Sequence, residues 1–226
     1  MSESHDIRVL FLDIGGVLLT NGWDGKTRRR AGEQFGLDLE EMNERHHLTF
    51  DAYERGLLSL DEYLRRVVFY QDRAFTPEQF KEYMFRQSQP LDDNIEVFKK
   101  IADANGLRVG SINNEGRELA IHRIREFRLT ELFEFFITSS FVHSRKPDAD
   151  IFRLALDIAQ VPPEQAVYVE DRLMFVEIAR ELGIHSIHYE SLEKTLGALA
   201  DVGLKMSPSK EHSHDRARIS FHVAGS

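Results

Sequence analysis

The sequence predicts an α/β protein with a parallel β-sheet and a block of helices inserted after its first strand. Residues 7–13 form a mostly apolar run that ends at Asp13 and is followed by Gly15 and Gly16, which is typical of a buried strand entering a tight turn. Short apolar runs alternate with amphipathic stretches in the second half of the chain, which indicates βαβ units. Residues 20–90 differ, because they are highly charged and their apolar residues follow a helical period.

The later strands are predicted from four short apolar runs, at residues 107–112, 135–138, 166–169 and 184–189. Amphipathic stretches separate these runs, and the clearest of them cover residues 149–160 and 175–182. We expect strands that alternate with helices in this way to form one parallel sheet.

The inserted block contains two recognisable helices. One has an apolar face made of Leu60, Tyr63, Leu64, Val67 and Val68. Ser59 and Glu62 have the spacing of a capping box at its start. The next helix is predicted to begin at Thr76, with Pro77 at the first helical position and Gln79 two residues further on. The chain is therefore divided into a core (1–19 and 91–205), a helical insertion (20–90) and a polar tail (206–226).

The composition narrows the class of protein. The 226 residues are 42% hydrophobic and 30% charged, which is the balance of a soluble globular protein. The net charge of −9 argues against a nucleic-acid partner, which would require a basic surface. The chain has no cysteine, so disulfides and thiolate chemistry are excluded. Without a membrane-length apolar run or a signal-peptide pattern, we expect no membrane partner and a cytoplasmic location. The oligomeric state is not predicted.

Four polar segments lie at or just after predicted strand ends, at residues 13–17, 112–115, 145–148 and 169–172. In an open parallel sheet, ligands bind outside the carboxyl ends of the strands. The four segments are therefore expected to meet in one crevice.

The acidic residues of these segments predict a magnesium site. Asp13, Glu170 and Asp171 offer hard carboxylate oxygens, which Mg²⁺ prefers. Zinc fits less well, because the chain has no thiolates and no histidine pair at ligand spacing.

The remaining residues of the four segments suit an anionic substrate. Lys146 brings a compact positive charge that can hold both a phosphate and a carboxylate. Asn113 and Asn114 can donate amide hydrogen bonds to phosphate oxygens. Gly15 and Gly16 carry no side chain, so the backbone can approach an anion closely.

The order, spacing and residue types of the four segments resemble the haloacid dehalogenase superfamily over residues 7–205. The resemblance implies a Rossmann-like three-layer fold whose five core strands have the order 5-4-1-2-3, with residues 20–90 as a helical cap. The segment 53–59, YERGLLS, and the turn at 13–16, DIGG, look like parts of the sugar-phosphate phosphatases in this superfamily. The implied function is hydrolysis of a small phosphorylated metabolite, for example a sugar phosphate.

The resemblance also implies roles for the residues that match its motifs. Asp13 would be the nucleophile that forms an aspartyl-phosphate, and the backbone carbonyl of Gly15 would be a metal ligand. Lys146 would belong to the third motif. Asn113 and Asn114, in the second motif, would bind phosphate. Glu170 and Asp171, in the fourth motif, would bind the metal.

Two positions depart from this pattern. Most phosphatases of the superfamily have a second aspartate, the general acid, two residues after the nucleophile, and Gly15 occupies that place. A missing general acid costs about 10²–10⁴-fold in rate. The candidates to replace it by proximity in sequence are Asp24, His46 and His47, although the two histidines are predicted to lie on a solvated helix face. Asn113 stands where serine or threonine is usual.

Three alternative functions follow from these residues. A metal-independent 2-haloacid dehalogenase uses the same nucleophile, but the pair Glu170 and Asp171 would concentrate negative charge beside its anionic substrate. A sugar phosphomutase would need the acid–base group that Gly15 lacks. A phosphometabolite-binding protein with weak catalysis is supported by Gly15. Trp23 and Phe50 either line the substrate pocket or pack inside the insertion.

Overall fold

A computed structural model describes residues 6–205 of the chain. The predicted polar tail at 206–226 lies outside the described residues.

Five parallel strands form one sheet, with the order β3-β2-β1-β4-β5. This is the predicted order 5-4-1-2-3 from the opposite edge, so the predicted fold is confirmed. The strands are β1 Val9–Leu12, β2 Arg108–Asn113, β3 Phe135–Thr138, β4 Ala166–Glu170 and β5 His185–His188.

The central strand, β1, shows why the sheet has three layers. All four of its side chains are buried. Leu10 and Leu12 belong to one apolar cluster, whereas Val9 and Phe11 belong to a second cluster. Because successive side chains of a strand point to opposite faces, both faces of the sheet are covered by helices. This explains why residues 9–12 are apolar throughout rather than alternating.

Within the described residues, the helices are α1 Gly25–Phe35, α2 Leu39–Glu54, α3 Leu60–Val67, α4 Pro77–Arg86, α5 Asn94–Asn105, α6 Arg117–Glu126, α7 Ser139–Val142, α8 Ala149–Ala159, α9 Leu173–Glu181 and α10 Leu192–Asp201. No described helix has the length and apolar character needed to cross a membrane.

The insertion consists of α1 to α4, and its predicted helix starts are confirmed. Both capping boxes are present, with the hydroxyls of Ser59 and Thr76 accepting hydrogen bonds from backbone N–H groups and Pro77 at the first position of α4. The predicted apolar face of α3 is buried in an apolar cluster confined to residues of this segment. Phe80 is fully buried in that cluster, and its ring lies 5.0 Å from Phe35.

The two chain segments that connect the insertion to the sheet run side by side. The backbone N–H of Thr20 donates to the carbonyl of Gln89 at 2.8 Å, and the N–H of Gln89 donates to the hydroxyl of Thr20 at 3.0 Å. Leu19 and Pro90 form an antiparallel bridge beside them. The insertion therefore leaves the sheet and returns to it at one narrow place.

Replacement of Phe80 by alanine should test how far the insertion depends on its own apolar cluster. We expect a loss of about 3–5 kcal/mol in the free energy of unfolding, because a buried ring is removed and a cavity remains. Leu48→Ala is the matched control, since Leu48 is 76% exposed and should change stability by no more than about 0.5 kcal/mol. Denaturant unfolding measures both, and equal effects would contradict the packing described.

Candidate active site

Three carboxylates meet at the carboxyl end of the sheet. Leu12 and Val169 are register partners on neighbouring strands, so Asp13 and Glu170 come next to each other where β1 and β4 end. Asp171 follows directly. One oxygen from each of the three side chains lies within 4.8 Å of the others. The structure therefore brings the predicted acidic residues together.

Lys146 lies at the centre of this cluster and is 1% exposed. Its Nζ is 2.6 Å from Glu170 Oε2 and 3.1 Å from Asp13 Oδ1. The ammonium also donates to the carbonyl of Ile112 at 2.8 Å and to the hydroxyl of Tyr168 at 3.1 Å. Tyr168 in turn donates to Glu170. A buried cation needs such partners, because burying it unpaired is costly.

The pKa values in the cluster show that its charge is unbalanced. Burial and then the charge of Glu170 raise the pKa of Asp13 well above its ordinary value, and Lys146 opposes this only in part. Burial would also raise the pKa of Glu170, but the Lys146 ammonium lowers it below its usual range. Burial and the shared contact with Glu170 raise the pKa of Asp171 to about 6. Three carboxylates thus face one lysine.

The same cluster has room for a cation with oxygen ligands. The Oδ1 atom of Asp171 is buried and accepts no hydrogen bond from any described residue. Its Oδ2 atom accepts only a long hydrogen bond, of 3.3 Å, from Asn21. Hard carboxylate oxygens with unused lone pairs and excess negative charge suit Mg²⁺.

The two asparagines after β2 differ in their surroundings. Asn113 is 2% exposed and lines the cavity, and its Nδ2 has no partner among residues 6–205. Asn114 donates through Nδ2 to the Lys146 carbonyl at 2.8 Å and accepts from the Lys146 backbone N–H at 2.9 Å. Asn113 thus keeps a free donor for an anion, whereas the side chain of Asn114 holds the Lys146 segment in place.

The turn after Asp13 is packed closely. Gly16 has φ +80°, and a Cβ there would lie 2.1 Å from Asp171 Oδ2. A Cβ at position 15 would lie 2.8 Å from Asn21 Oδ1 and 3.6 Å from Arg123 Nη1. Gly16 is therefore required both for space and for its backbone conformation, whereas a side chain at position 15 would require only that the end of Asn21 move.

The insertion contributes one wall of the cavity, which has a volume of about 710 Å³ including its open mouth. Trp23 and Phe50 both line it, and Trp23 also packs against the apolar cluster of the insertion. Trp23 Nε1 donates to Tyr63 Oη at 2.8 Å, and Tyr63 Oη lies 2.7 Å from His46 Nδ1. The prediction of a solvated face is correct for the exposed His47 but wrong for His46, because the helix turns His46 inward onto Tyr63.

Two buried charged residues of the cavity were not predicted. Glu115 and Arg123 form an ion pair with 2.7 Å between Oε2 and Nη1, and both line the same cavity as Asp13. Glu115 directly follows the two asparagines at the end of β2, so its place in the second motif was a usable signal. Arg123 lies in the middle of α6 and has no sequence pattern that distinguishes it from a solvated arginine.

Comparison with known proteins shows the family of the chain. The model of the haloacid dehalogenase-like hydrolase family matches residues 36–189, and the chain belongs to this family. A flavin mononucleotide hydrolase of Arabidopsis thaliana is 25% identical over 78% of this chain and 71% of its own length. A phosphorylated carbohydrates phosphatase of Thermotoga maritima is 24% identical over 80% of this chain and 84% of its own length.

A third relative is much longer than this chain. A drimenol cyclase of Aspergillus calidoustus is 28% identical over 87% of this chain, but the chain spans only 36% of its length. The match therefore concerns one part of that protein.

Solved structures show the same fold at low sequence identity. A magnesium complex of a haloacid dehalogenase family enzyme from Bacteroides thetaiotaomicron has a TM-score of 0.72 and 18% identity, and it covers 85% of this chain and 98% of its own. The L-2-haloacid dehalogenase of Xanthobacter autotrophicus has a TM-score of 0.59 and 15% identity, covering 89% of this chain and 85% of its own. Both a metal-bound enzyme and a dehalogenase therefore share the fold, which by itself does not separate the two reactions.

Replacement of Gly16 by alanine should be more costly than the same change at Gly36. Both glycines have positive φ, but a Cβ at Gly36 meets nothing within 4 Å. Gly36→Ala should therefore lower the free energy of unfolding by about 1–2 kcal/mol through backbone strain alone. We expect Gly16→Ala to cost about 1–3 kcal/mol more, because it must displace Asp171. Equal losses in denaturant unfolding would contradict the close contact.

Proposed function

We propose that this hydrolase cleaves a small phosphate monoester, with Asp13 as the nucleophile. The observation that carries the proposal is the cluster of Asp13, Glu170 and Asp171 around a single buried lysine. A carboxylate can attack phosphorus only if the negative charges of both partners are offset, and electrostatic stabilisation is the main effect in phosphoryl transfer. Lys146 lies 3.1 Å from Asp13 and can offset part of this charge.

We assign the predicted residues as follows. Asp13, Glu170 and Asp171, with the backbone carbonyl of Gly15, hold Mg²⁺, which when bound neutralises the phosphoryl oxygens. Asn113 binds phosphate through its free amide N–H, together with Lys146 and the backbone of Gly15 and Gly16. Asn114 is a positioning residue, because its side chain already bonds to the backbone of Lys146.

The cluster favours a phosphatase over a metal-independent 2-haloacid dehalogenase. A dehalogenase would have to bind a carboxylate substrate beside three carboxylates that already lack enough positive charge. Burial is the main cause of the raised pKa values of Asp13 and Asp171, and the negative charge of Glu170 adds to both. A site that holds a divalent cation resolves the imbalance, and a metal-free site does not.

The substrate class is supported by the relatives and by the cavity. Flavin mononucleotide and phosphorylated carbohydrates, which name the two relatives, are both phosphate monoesters of small alcohols. The second support is the lining of the cavity that contains Asp13. Trp23, His46 and Phe50 give it an aromatic wall on the side of the insertion, suited to the group that carries the phosphate.

We further propose that residues 20–90 act as a cap over a core of 1–19 and 91–205. The insertion has its own apolar cluster and is joined to the sheet at one place. It contacts the core near the site through three ion pairs. Arg145 pairs with Glu54 at 2.6 Å and with Asp51 at 3.3 Å, and Arg55 pairs with Asp148 at 2.9 Å. Partly exposed ion pairs of this kind are weak, which suits a contact that opens for substrate and product.

The proposed reaction is tested with p-nitrophenyl phosphate, glucose 6-phosphate and flavin mononucleotide, in Mg²⁺ and in EDTA. We expect phosphate release that requires Mg²⁺ and falls by at least about 10³-fold in Asp13→Asn, because the nucleophile is removed. Asp150→Asn, on an exposed carboxylate paired with Arg153, should retain full activity. Phosphate binding without turnover would replace the proposal with a binding function, and halide release in EDTA would replace it with a dehalogenase.

The proposed metal site is tested separately by thermal unfolding. A ligand that binds only the folded state stabilises it by about 2.7 kcal/mol at one hundred times its dissociation constant. We expect Mg²⁺ to raise the melting temperature of the wild type and to have little effect on Asp171→Asn, which keeps the shape of the side chain but loses its charge. Asp150→Asn should respond like the wild type. Full stabilisation of Asp171→Asn by Mg²⁺ would remove Asp171 from the metal site.

A further inference from the structure

The glycine at position 15 leaves the proposed reaction without an obvious proton donor. When Asp13 attacks phosphorus, the bond between phosphorus and the leaving oxygen breaks, and an alkoxide leaves slowly unless it is protonated. A general acid contributes about 10²–10⁴-fold to such a step. The inference below rests on the proposed phosphatase function and concerns the group that supplies this proton.

The Arg123 side chain lies beside Gly15, and a carboxyl group that follows the neighbouring strand is paired with it. Arg123 Nη1 lies 3.6 Å from the position that a Cβ at residue 15 would occupy, and Glu115 Oε2 lies 2.7 Å from that Nη1. Glu115 follows the end of β2, which pairs directly with β1 through Leu12 and Ser111. Through Arg123, Glu115 is therefore close to the turn at residue 15, which is where the second aspartate of most phosphatases in the superfamily would lie.

The position of the Glu115–Arg123 pair is fixed by neutral partners on three sides. The backbone N–H of Glu115 donates to the hydroxyl of Ser139 at 3.0 Å. Arg123 donates through Nε to Ser88 Oγ at 2.9 Å and through Nη2 to the carbonyl of Thr20 at 2.7 Å. An ion pair held in this way offers a carboxyl group at a defined place in the cavity.

The candidates suggested by proximity in sequence fit less well. Burial lowers the pKa of His46 to about 3, so this histidine is neutral at neutral pH and carries no proton to give. Asp24 caps α1 by accepting a hydrogen bond from the backbone N–H of Thr27 at 2.8 Å. His47 is exposed and does not line the cavity that contains Asp13.

We propose that Glu115 is the general acid and base of the reaction, in place of the aspartate that Gly15 replaces, and that Arg123 positions it. In the first step an oxygen of Asp13 forms a bond to phosphorus. The bond from phosphorus to the leaving oxygen breaks, and that oxygen takes the proton of the Glu115 carboxyl. In the second step water attacks the phosphorus of the aspartyl-phosphate and gives a proton to the Glu115 carboxylate. The bond to Asp13 breaks, which restores both groups.

The ionisation of Glu115 suits both steps. Burial raises the pKa of this carboxyl to about 7, the charge of Glu54 adds to the effect, and Arg123 and the backbone N–H of Gly116 oppose it. The phenol of Tyr53 is the other titratable group that faces it, and its own pKa is raised well above the ordinary value. A pKa near the working pH is the optimum for an acid that must also act as a base.

The test compares leaving groups of different quality in Glu115→Gln. p-Nitrophenolate leaves without protonation, whereas the primary alkoxides of glucose 6-phosphate and flavin mononucleotide do not. We expect kcat/KM for the alkyl phosphates to fall by about 10²–10⁴-fold and kcat/KM for p-nitrophenyl phosphate by less than about tenfold. Asp150→Asn is the control, since Asp150 is an exposed carboxylate paired with Arg153 outside the cavity, and it should not change the ratio between the two substrate types.

Two further measurements keep the test valid if Glu115→Gln folds poorly. In the wild type, kcat/KM for an alkyl phosphate should fall as the pH rises through about 7, because the acid form is lost, and kcat/KM for p-nitrophenyl phosphate should not show this decline. Glu115→Asp retains a carboxyl and should recover part of the alkyl activity.

Each of the other outcomes overturns the assignment of Glu115. These are an equal loss on both substrate types, the same selective loss in Asp150→Asn, or a wild type that cleaves only the aryl phosphate. A wild type that cleaves none of the three substrates contradicts the proposed function itself, so the two failures are distinguishable.

Discussion

The buried Lys146 ammonium is the group on which the arrangement of the site depends. It joins the ends of three strands, because it contacts Asp13 after β1, the carbonyl of Ile112 in β2 and Glu170 in β4. Burial alone would lower the pKa of Lys146, but Asp13 and Glu170 raise it above its usual value. The lysine therefore stays charged in the interior, and the side chain of Asn114 holds its backbone.

This lysine neutralises only part of the charge around it. Three carboxylates around one buried cation do not stabilise the fold, because removing charges from water costs free energy and one cation cannot pair with all three. The position of this network at the carboxyl ends of a parallel sheet, where α/β proteins bind ligands, points to function. Under the proposed function, the same excess of negative charge that favours a divalent cation would also make the binding of an anionic substrate depend on that cation.

A second buried cation, Arg123, connects this site to the insertion. It holds Glu115 on one side and contacts Thr20 and Ser88, at the two ends of the insertion, on the other. A structural change where the insertion joins the core would therefore shift Arg123 and, through it, Glu115. Beside Gly15, the space that a side chain would enter is occupied by Asn21 Oδ1, with Arg123 Nη1 next to it.

The sequence was sufficient for features that arise from local pattern. The apolar run before Asp13 predicted β1, and the spacing of Ser59 and Glu62 predicted the start of α3, because strand burial and helix capping involve neighbouring residues. Contacts between distant residues were not predictable in this way. The sequence predicted Asn114 as a phosphate ligand. Only the fold shows that the nitrogen and the oxygen of the Asn114 side-chain amide both bond to the backbone of Lys146.

The same limit applies to the residues that tertiary packing brings into the cavity. Arg123 is one of several arginines on charged helices, and its burial arises from α6 packing under the ends of the insertion. His46 turned out to face inward because Tyr63, seventeen positions away, offers it a hydrogen bond.

The most direct measurement is a crystal structure of the protein grown with Mg²⁺ and beryllium fluoride, which mimics a phosphoryl group bound to an aspartate. The account predicts a beryllofluoride bonded to a carboxylate oxygen of Asp13, with Lys146 and Asn113 at its fluorides and Mg²⁺ between it, Glu170 and Asp171. A beryllofluoride bound to another residue, or a metal bound away from these carboxylates, would contradict it.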